Sequence, residues 1–497
     1  MTAAAGRGGA WRDTGGPACR RGVRAALVTL GLALGLVACG GGSGSNPVST
    51  TPTLTGVTVS PSSAVVPLNG TQAFTATATY SDGSTVPLTS GVTWASSAAG
   101  VLSVVSTTGV ATGRAAGAAT VSAAFGSVSG SASVTVQAAF VEVSLGREHA
   151  LGVKEDGTLW AWGRNHWGQL GIGTSVDSSV PVRVGIGRTW SLVAVGDSHS
   201  LAIQTDGTLW AWGLNQNGQL GLGDFLPRYA PVKVGTVSSW AAVAAGDTHS
   251  VARQKDGKLF AWGRNHYGQL GQTDPVDQRA PKQVGSATNW DIITAAADHT
   301  LARRTDGTLW AWGRNDALQL GPSGADATVN QPTLIDFVEE SWRWIAVSTG
   351  ATHTLAVRSD GALFSWGSTG NGRLGRTAVG LTAPPDQVGS HLDWVKVSAG
   401  GTHSLAIRRD GTLWSWGAND RGQLGNGTVV QQDAPSAVGA GSAVAGLTWG
   451  ELSAGFNASA ALTSAFALWT WGDDVYGQLG VGGSGGAQRQ HSPVKVN

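Results

Sequence analysis

Six histidines, His149, His199, His249, His299, His353 and His403, recur at a spacing of 50 residues that widens once to 54. Imidazole is the usual general base near neutral pH and a common metal ligand, so the set invites a catalytic or metal-binding reading. Either chemistry requires groups that converge within about 3 Å of a shared atom. Equivalent positions in successive copies of a repeat are held apart by the repeat itself. The histidines therefore read as structural, each expected to hydrogen-bond backbone groups in its own unit. No Ser-His-Asp order, paired carboxylate or HExxH string stands out elsewhere, so no catalytic residue, metal or cofactor is assigned and the protein is not expected to be an enzyme.

A second reactive group is Cys39. Arg20, Arg21 and Arg24 precede the apolar run AALVTLGLALGLVA, which ends at Ala38 and is followed by Cys39 and Gly40. A basic stretch, a short apolar run and small exit residues make a secretory signal. Leu36-Val37-Ala38-Cys39 resembles the lipobox of bacterial lipoproteins, which implies cleavage after residue 38, lipid attachment at Cys39, and a place in the cell envelope, outer membrane or cell surface. Residues 39–52 (CGGGSGSNPVSTTP) then form a flexible tether. With Cys19 removed and Cys39 acylated, no thiol remains for a disulfide, and the fold must rely on its core.

Those functional positions must be held by repeated elements. DGTLWAWG at 156–163 returns at 206 and 306, and in altered form at 256, 360 and 410, with a worn copy, AFALWTWG, ending at Gly472. Within 189–238 four strand-like runs are visible: SLVAVG, HSLAIQT, TLWAWG and PVKV. Asp206-Gly207 is expected to make a two-residue hairpin turn. Leu209 and Ala211 alternate with Trp210 and Trp212, so both faces of the sheet are apolar and both need cover. Radial stacking of sheets into a closed ring supplies it. Ala458 takes the seventh histidine position, which makes seven copies between residues 139 and 497. The expected fold is all-β, a seven-bladed β-propeller of four-stranded blades. The first copy begins at a first strand and the chain ends on PVKV, an order that admits closure by pairing N- and C-terminal strands within one blade. Loss of the Asp-Gly turn at Ala465-Phe466 marks the seventh copy as the specialised closing blade.

Residues 53–137 have another texture, rich in Val, Thr, Ser and Ala with short alternating runs such as GVTVS and QAFTATATY. With Tyr80, Asp82-Gly83-Ser84, Trp94 and the stretch from Gly109 to Gly117, this segment resembles a bacterial immunoglobulin-like domain of group 2. The resemblance implies an N-terminal Ig-like β-sandwich serving as a spacer, with Trp94 in its core.

W-x-x-V-x-x-G-x-x-H-S-L-A, D-G-x-L-W-x-W-G-x-N and G-Q-L-G-x-G keep their order in six of seven copies. Together they resemble the repeat of the regulator of chromosome condensation family. The resemblance implies a seven-bladed propeller; its members include exchange factors, scaffolds and a secreted enzyme inhibitor, so no single activity follows.

Charge excludes one class of partner. Formal charge is +1, and without the first 38 residues, which hold five Arg and one Asp, 27 basic residues face 30 acidic ones. No cluster of Lys and Arg appears there, so nucleic acid is not an expected partner.

Function is expected where the copies differ. Between WG and GQLG lie His166-Trp167, Gln216-Asn217, His266-Tyr267, Asp420-Arg421 and, in the last copy, Tyr476. These are candidate binding-rim residues, of the types that anchor interfaces. The expectation is a monomeric, lipid-anchored surface protein whose propeller binds a protein or surface glycan. A secreted-enzyme inhibitor or ligand-capture propeller is the alternative, with a guanine-nucleotide exchange factor or loop-based hydrolase less favoured.

Overall fold

Alternating small and aromatic residues, cut by a glycine turn every few positions, drive the chain into short antiparallel strands. The computed structural model describes residues 51–497 apart from 322–326, 336–341, 440–441, 484–488 and 497. Signal segment, Cys39 and nearly all of the tether lie outside the described residues. No helix among the described residues is long and apolar enough to cross a membrane.

Residues 54–137 form three small sheets. One joins Leu54–Ser60, Thr75–Tyr80 and Thr85–Leu88; another sets Val128–Gln137 between a parallel neighbour, Ser63–Pro67, and the antiparallel Gly117–Phe125. They share one core containing Val59, Phe74, Trp94, Leu102, Val121 and Val134. Gly109 lies against the Trp94 ring at φ +70°, and a Cβ there would come within 2.6 Å of the indole. Trp94 is 6% exposed and sits at the packing centre.

From Phe140 onward the described residues make seven four-stranded sheets, each from consecutive strands in sequence order. In the second, Trp190–Val195, His199–Gln204, Leu209–Gly213 and Arg228–Lys233 run antiparallel, with His199 opposite Gly213 and Ile203 opposite Leu209. The inner strands of successive sheets adjoin, and that of the first adjoins that of the last, so the sheets close as blades of a ring. Each interface buries apolar residues from two blades: Leu151, Val153 and Ala161 of the first pack with Trp190, Val193 and Trp212 of the second. Burying a side chain of this size contributes roughly 2–3 kcal/mol, and the arrangement repeats around the ring.

Two sequence expectations need correction. The Asp-Gly turn is a three-residue loop: Gly207 N donates to Gln204 O at 2.9 Å, Gln204 N donates to Thr208 O at 2.9 Å, and Gly207 takes φ +81°. The extra residue is stabilised because Asp206 accepts from both the Thr208 amide and its hydroxyl, which in turn accepts from Trp210 Nε1. Closure involves no exchange of strands, for the last sheet is built wholly from Trp449–Lys495 and the first wholly from Phe140–Val184. Phe140, Leu145 and Trp162 pack directly with Ala458, Leu468 and Val496.

Candidate functional site

The repeated polar residues form one hydrogen-bond circuit between blades. His199 Nε2 lies 2.9 Å from Ser250 Oγ of the next blade, and Ser250 Oγ donates to the Gln219 carbonyl at 2.7 Å. Because the hydroxyl spends its proton on that carbonyl, it accepts from histidine, which fixes the imidazole as the Nε2–H tautomer. The same carbonyl also receives Trp262 Nε1 at 2.9 Å. His149–Ser200, His249–Thr300, His353–Ser404 and His403–Ser459 repeat the contact. The histidines thus bond to a neighbouring blade, not to backbone of their own. Buried as they are, His149, His199, His249, His299 and His403 have pKa values pushed down to about 3, and they stay neutral.

Two junctions differ. His299 has neither ring nitrogen hydrogen-bonded. At the closing junction Ala458 replaces the histidine, and the residue that would meet it, in the serine position of the first blade, is Ala150. Both partners are lost together, which leaves no buried polar group unsatisfied.

These bonds order one face of the ring, where the loop joining the first two strands of each blade meets the loop joining the last two. Leu214 N donates to Ser198 O, and Arg164 pairs with Glu148 across the two loops of the first blade. Asn165, Asn215, Asn265, Asn315 and Asn419 accept from the leucine amide five residues on. The Gln169, Gln219, Gln269, Gln319, Gln423 and Gln478 side chains accept from the amide two residues before. In the last blade Asp474 does the asparagine's work, accepting from Leu479 N; burial, with Asp473 beside it, pushes its carboxyl up to about 6. In the fifth, Arg373 stands at the glutamine position, buried, and its guanidinium donates to Gly370 O and Thr352 Oγ1.

The candidate rim residues lie on this face but do not form one cluster. His166, Gln216, His266 and Asp420 are exposed; Trp167, Asn217, Tyr267, Arg421 and Tyr476 are half-buried. His166 and Tyr476 share a cavity with Arg164, Val176 and Asp177 at the closing junction. His266 accepts from Arg264 Nε at 3.0 Å, and Arg314 stacks over Tyr267 at 5.2 Å. Arg421 reaches Asp420 at 3.2 Å. Gln216 and Asn217 stand apart from these groups.

Two features of the face escaped the sequence reading. One is a set of exposed aliphatic side chains at the same repeat position, Val176 (69% exposed), Leu226 (64%), Val276 (56%) and Val430 (63%). Their loops are pinned from behind, since Asn165 Nδ2 donates to Val176 O and Asn419 Nδ2 to Val430 O. Four apolar side chains left in water at one repeat position was the available signal. The other is the mouth of the central axis, a cavity of about 110 Å³ ringed by the turns after each first strand. Arg147, Asp197, Asp247, Ala297, Ala351, Gly401 and Phe456 occupy one equivalent position there, five residue types over seven blades. Among the described residues no group of three or more His, Cys, Asp or Glu is placed to hold a metal ion.

Comparison with known proteins fits this architecture. The RCC1-like domain family matches residues 91–389, and the regulator of chromosome condensation (RCC1) repeat matches 394–423 and 410–462. The E3 ubiquitin-protein ligase HERC2 of Homo sapiens is 32% identical over 179 residues, 35% of this chain; the Mus musculus protein matches equally, and the chain spans 4% of the length of these relatives. Among solved structures, human WBSCR16 is similar with a TM-score of 0.62 and 22% identity, over 68% of this chain and 94% of its own. Prp20p of Saccharomyces cerevisiae, described with its binding properties to Gsp1p and histones, gives 0.58 and 24% over 64% and 80%.

Proposed function

Because the chain belongs to the RCC1-like domain family, whose propeller is a protein-interaction module, we propose that this ring is a non-enzymatic binding module that contacts its partner through the face carrying the GQLG loops. The observation that carries the reading is the recurrence of Val176, Leu226, Val276 and Val430, exposed at one repeat position and held by buried asparagines. Apolar side chains in water cost nothing when scattered singly, but a patterned set around one rim marks a contact surface. Trp167, Tyr267 and Tyr476 add half-buried aromatic anchors just inside it. That Prp20p is described with binding properties to Gsp1p and histones gives a precedent for protein partners on this fold.

The proposal extends to placement. The basic stretch, apolar run and Leu36-Val37-Ala38-Cys39 support export and lipid attachment at Cys39. Residues 53–137, with Trp94 at the centre of a shared core, support an Ig-like spacer between anchor and propeller. The partner is a protein of the cell exterior.

A photo-crosslinking residue at position 226, on the GQLG side, compared with one at Val237, on the opposite side, tests the reading on intact cells. Capture of the same protein from 226 and not from 237 is expected. Equal capture from both positions, or from 237 alone, overturns the choice of face.

A further inference from the structure

The axial mouth differs in chemistry from the rim around it. On one side Asp197 and Asp247 come from two consecutive blades, and the wall that follows is cut back to Ala297, Ala351 and Gly401; Asp298 comes after Ala297 and is not part of the lining. Arg147 is already committed. Its guanidinium stacks over the Phe456 ring at 4.2 Å and reaches Asp197 at 3.4 Å. Asp197 also accepts from Ser198 Oγ at 2.9 Å. Asp298 is met by Gln269 Nε2 at 3.2 Å and by Arg314 at 3.9 Å. Asp247 lines the mouth with the Ala297 amide beside its carboxyl but, among the described residues, no ion pair and no hydrogen bond to another side chain. Burial and the neighbouring Asp197 and Asp298 push its carboxyl up to about 6, against a smaller pull from Arg147 and the Ala297 amide.

A second observation comes from behind the wall. His199 and His249 are fully buried, and their Nδ1 atoms have no hydrogen-bond partner. In the Nε2–H tautomer Nδ1 carries a lone pair. These edges stand directly behind Gly196 and Gly246, where a Cβ would meet Nδ1 at 2.5 and 2.3 Å. The same edges stand behind Gly350 and Gly400, so acceptor nitrogens back the mouth on both sides, while Asp197 and Asp247 set its negative side and the cut-back wall leaves an opening beside them.

We propose that the axial mouth receives one lysine or arginine side chain of the partner protein, with its charge set against Asp247. This rests on the reading of the GQLG face as the contact surface and names the chemistry that the partner must present at its centre. The stem of such a side chain passes Ala297, Ala351 and Gly401, and its head supplies the cation that Asp247 lacks.

The probe is acetyl-arginine amide, with the neutral acetyl-citrulline amide as its control, titrated into the full chain and followed by chemical-shift changes at the mouth. Saturable binding in the millimolar range is expected for the arginine compound alone, weaker by about tenfold or more in Asp247→Asn. Ala351→Leu, which narrows the opening and leaves every charge in place, should weaken it as well, so the proposal remains testable should Asp247→Asn fold poorly. Equal response to citrulline, no saturable response, or binding indifferent to both variants overturns it. The photo-crosslinking pattern from position 226 is a separate readout: rim capture without arginine binding defeats this inference alone, whereas arginine binding without rim capture defeats the contact-face reading.

Discussion

The Nε2 of His199 and the Oγ of Ser250, residues of adjacent blades, stand 2.9 Å apart in a fully buried contact. The bond runs from imidazole to hydroxyl to the Gln219 carbonyl, so the second blade is fastened to the third through its GQLG loop, as at four other junctions. Removing either end of such a pair leaves the other buried without its partner.

His199→Ala should therefore lower stability by about 2–3 kcal/mol, combining a cavity with a lost bond. His199→Ala with Ser250→Ala should lose less than the two single changes summed, by about 1 kcal/mol. Chemical denaturation of the four proteins checks this, and strict additivity would show that the contact carries no energy.

The closing junction offers the reverse experiment. Ala458→His alone places an imidazole opposite Ala150, with no hydroxyl to accept its proton, and should destabilise by about 2 kcal/mol through overpacking and an unmet donor. Adding Ala150→Ser should recover part of that loss. A second change that worsens the first would mean this junction is spaced differently from the other six.

Acid should open the ring. Histidines with folded pKa values near 3 and ordinary values near 6.5 bind fewer protons folded than unfolded, so the stability they hold above pH 6.5 is lost as pH falls toward 3. Each contributes a slope of up to about 1.4 kcal/mol per pH unit. Asp247, raised to about 6, works the other way: its protonated form is favoured by the fold, and it costs stability as pH rises from about 4 to 6. Five buried histidines outweigh it. A steep fall in the thermal midpoint between pH 6 and pH 4 is expected, blunted in variants that replace a histidine.

Asp474 supplies a contrasting case. Five other blades have asparagine at its position, and its carboxyl, raised to about 6, is charged at neutral pH in a place that disfavours charge. Asp474→Asn keeps the acceptor for Leu479 N and should raise stability by about 1 kcal/mol at pH 7.5, with the gain vanishing as pH falls from about 6 to about 4. A gain independent of pH would point to packing instead.

The recurrence of DGTLWAWG and of the histidines made the blades and their number readable, because one unit that covers both sheet faces has few ways to be used seven times. The partner of each histidine was not readable. Ser250 lies 51 residues beyond His199, and nothing local in either copy says that the bond crosses to the next blade. The three-residue turn was missed because Asp-Gly favours two turn lengths, and the choice falls to Thr208, whose amide and hydroxyl both bind Asp206. Rim pairs such as His166-Trp167 were found by their variation, and the same test, applied one position after the glycine that ends each first strand, would have found Arg147, Asp197 and Asp247.

The Ala150–Ala458 junction sits where the first and last blades of the ring come together, Phe140 and Val496 both packing within it. A pull applied ahead of residue 140 is carried into this junction, which, like the one at His299, lacks the imidazole bond, here because both polar partners are absent. Pulled hard enough, the ring would unbuckle there, leaving all seven blades linked in a row through the six remaining junctions.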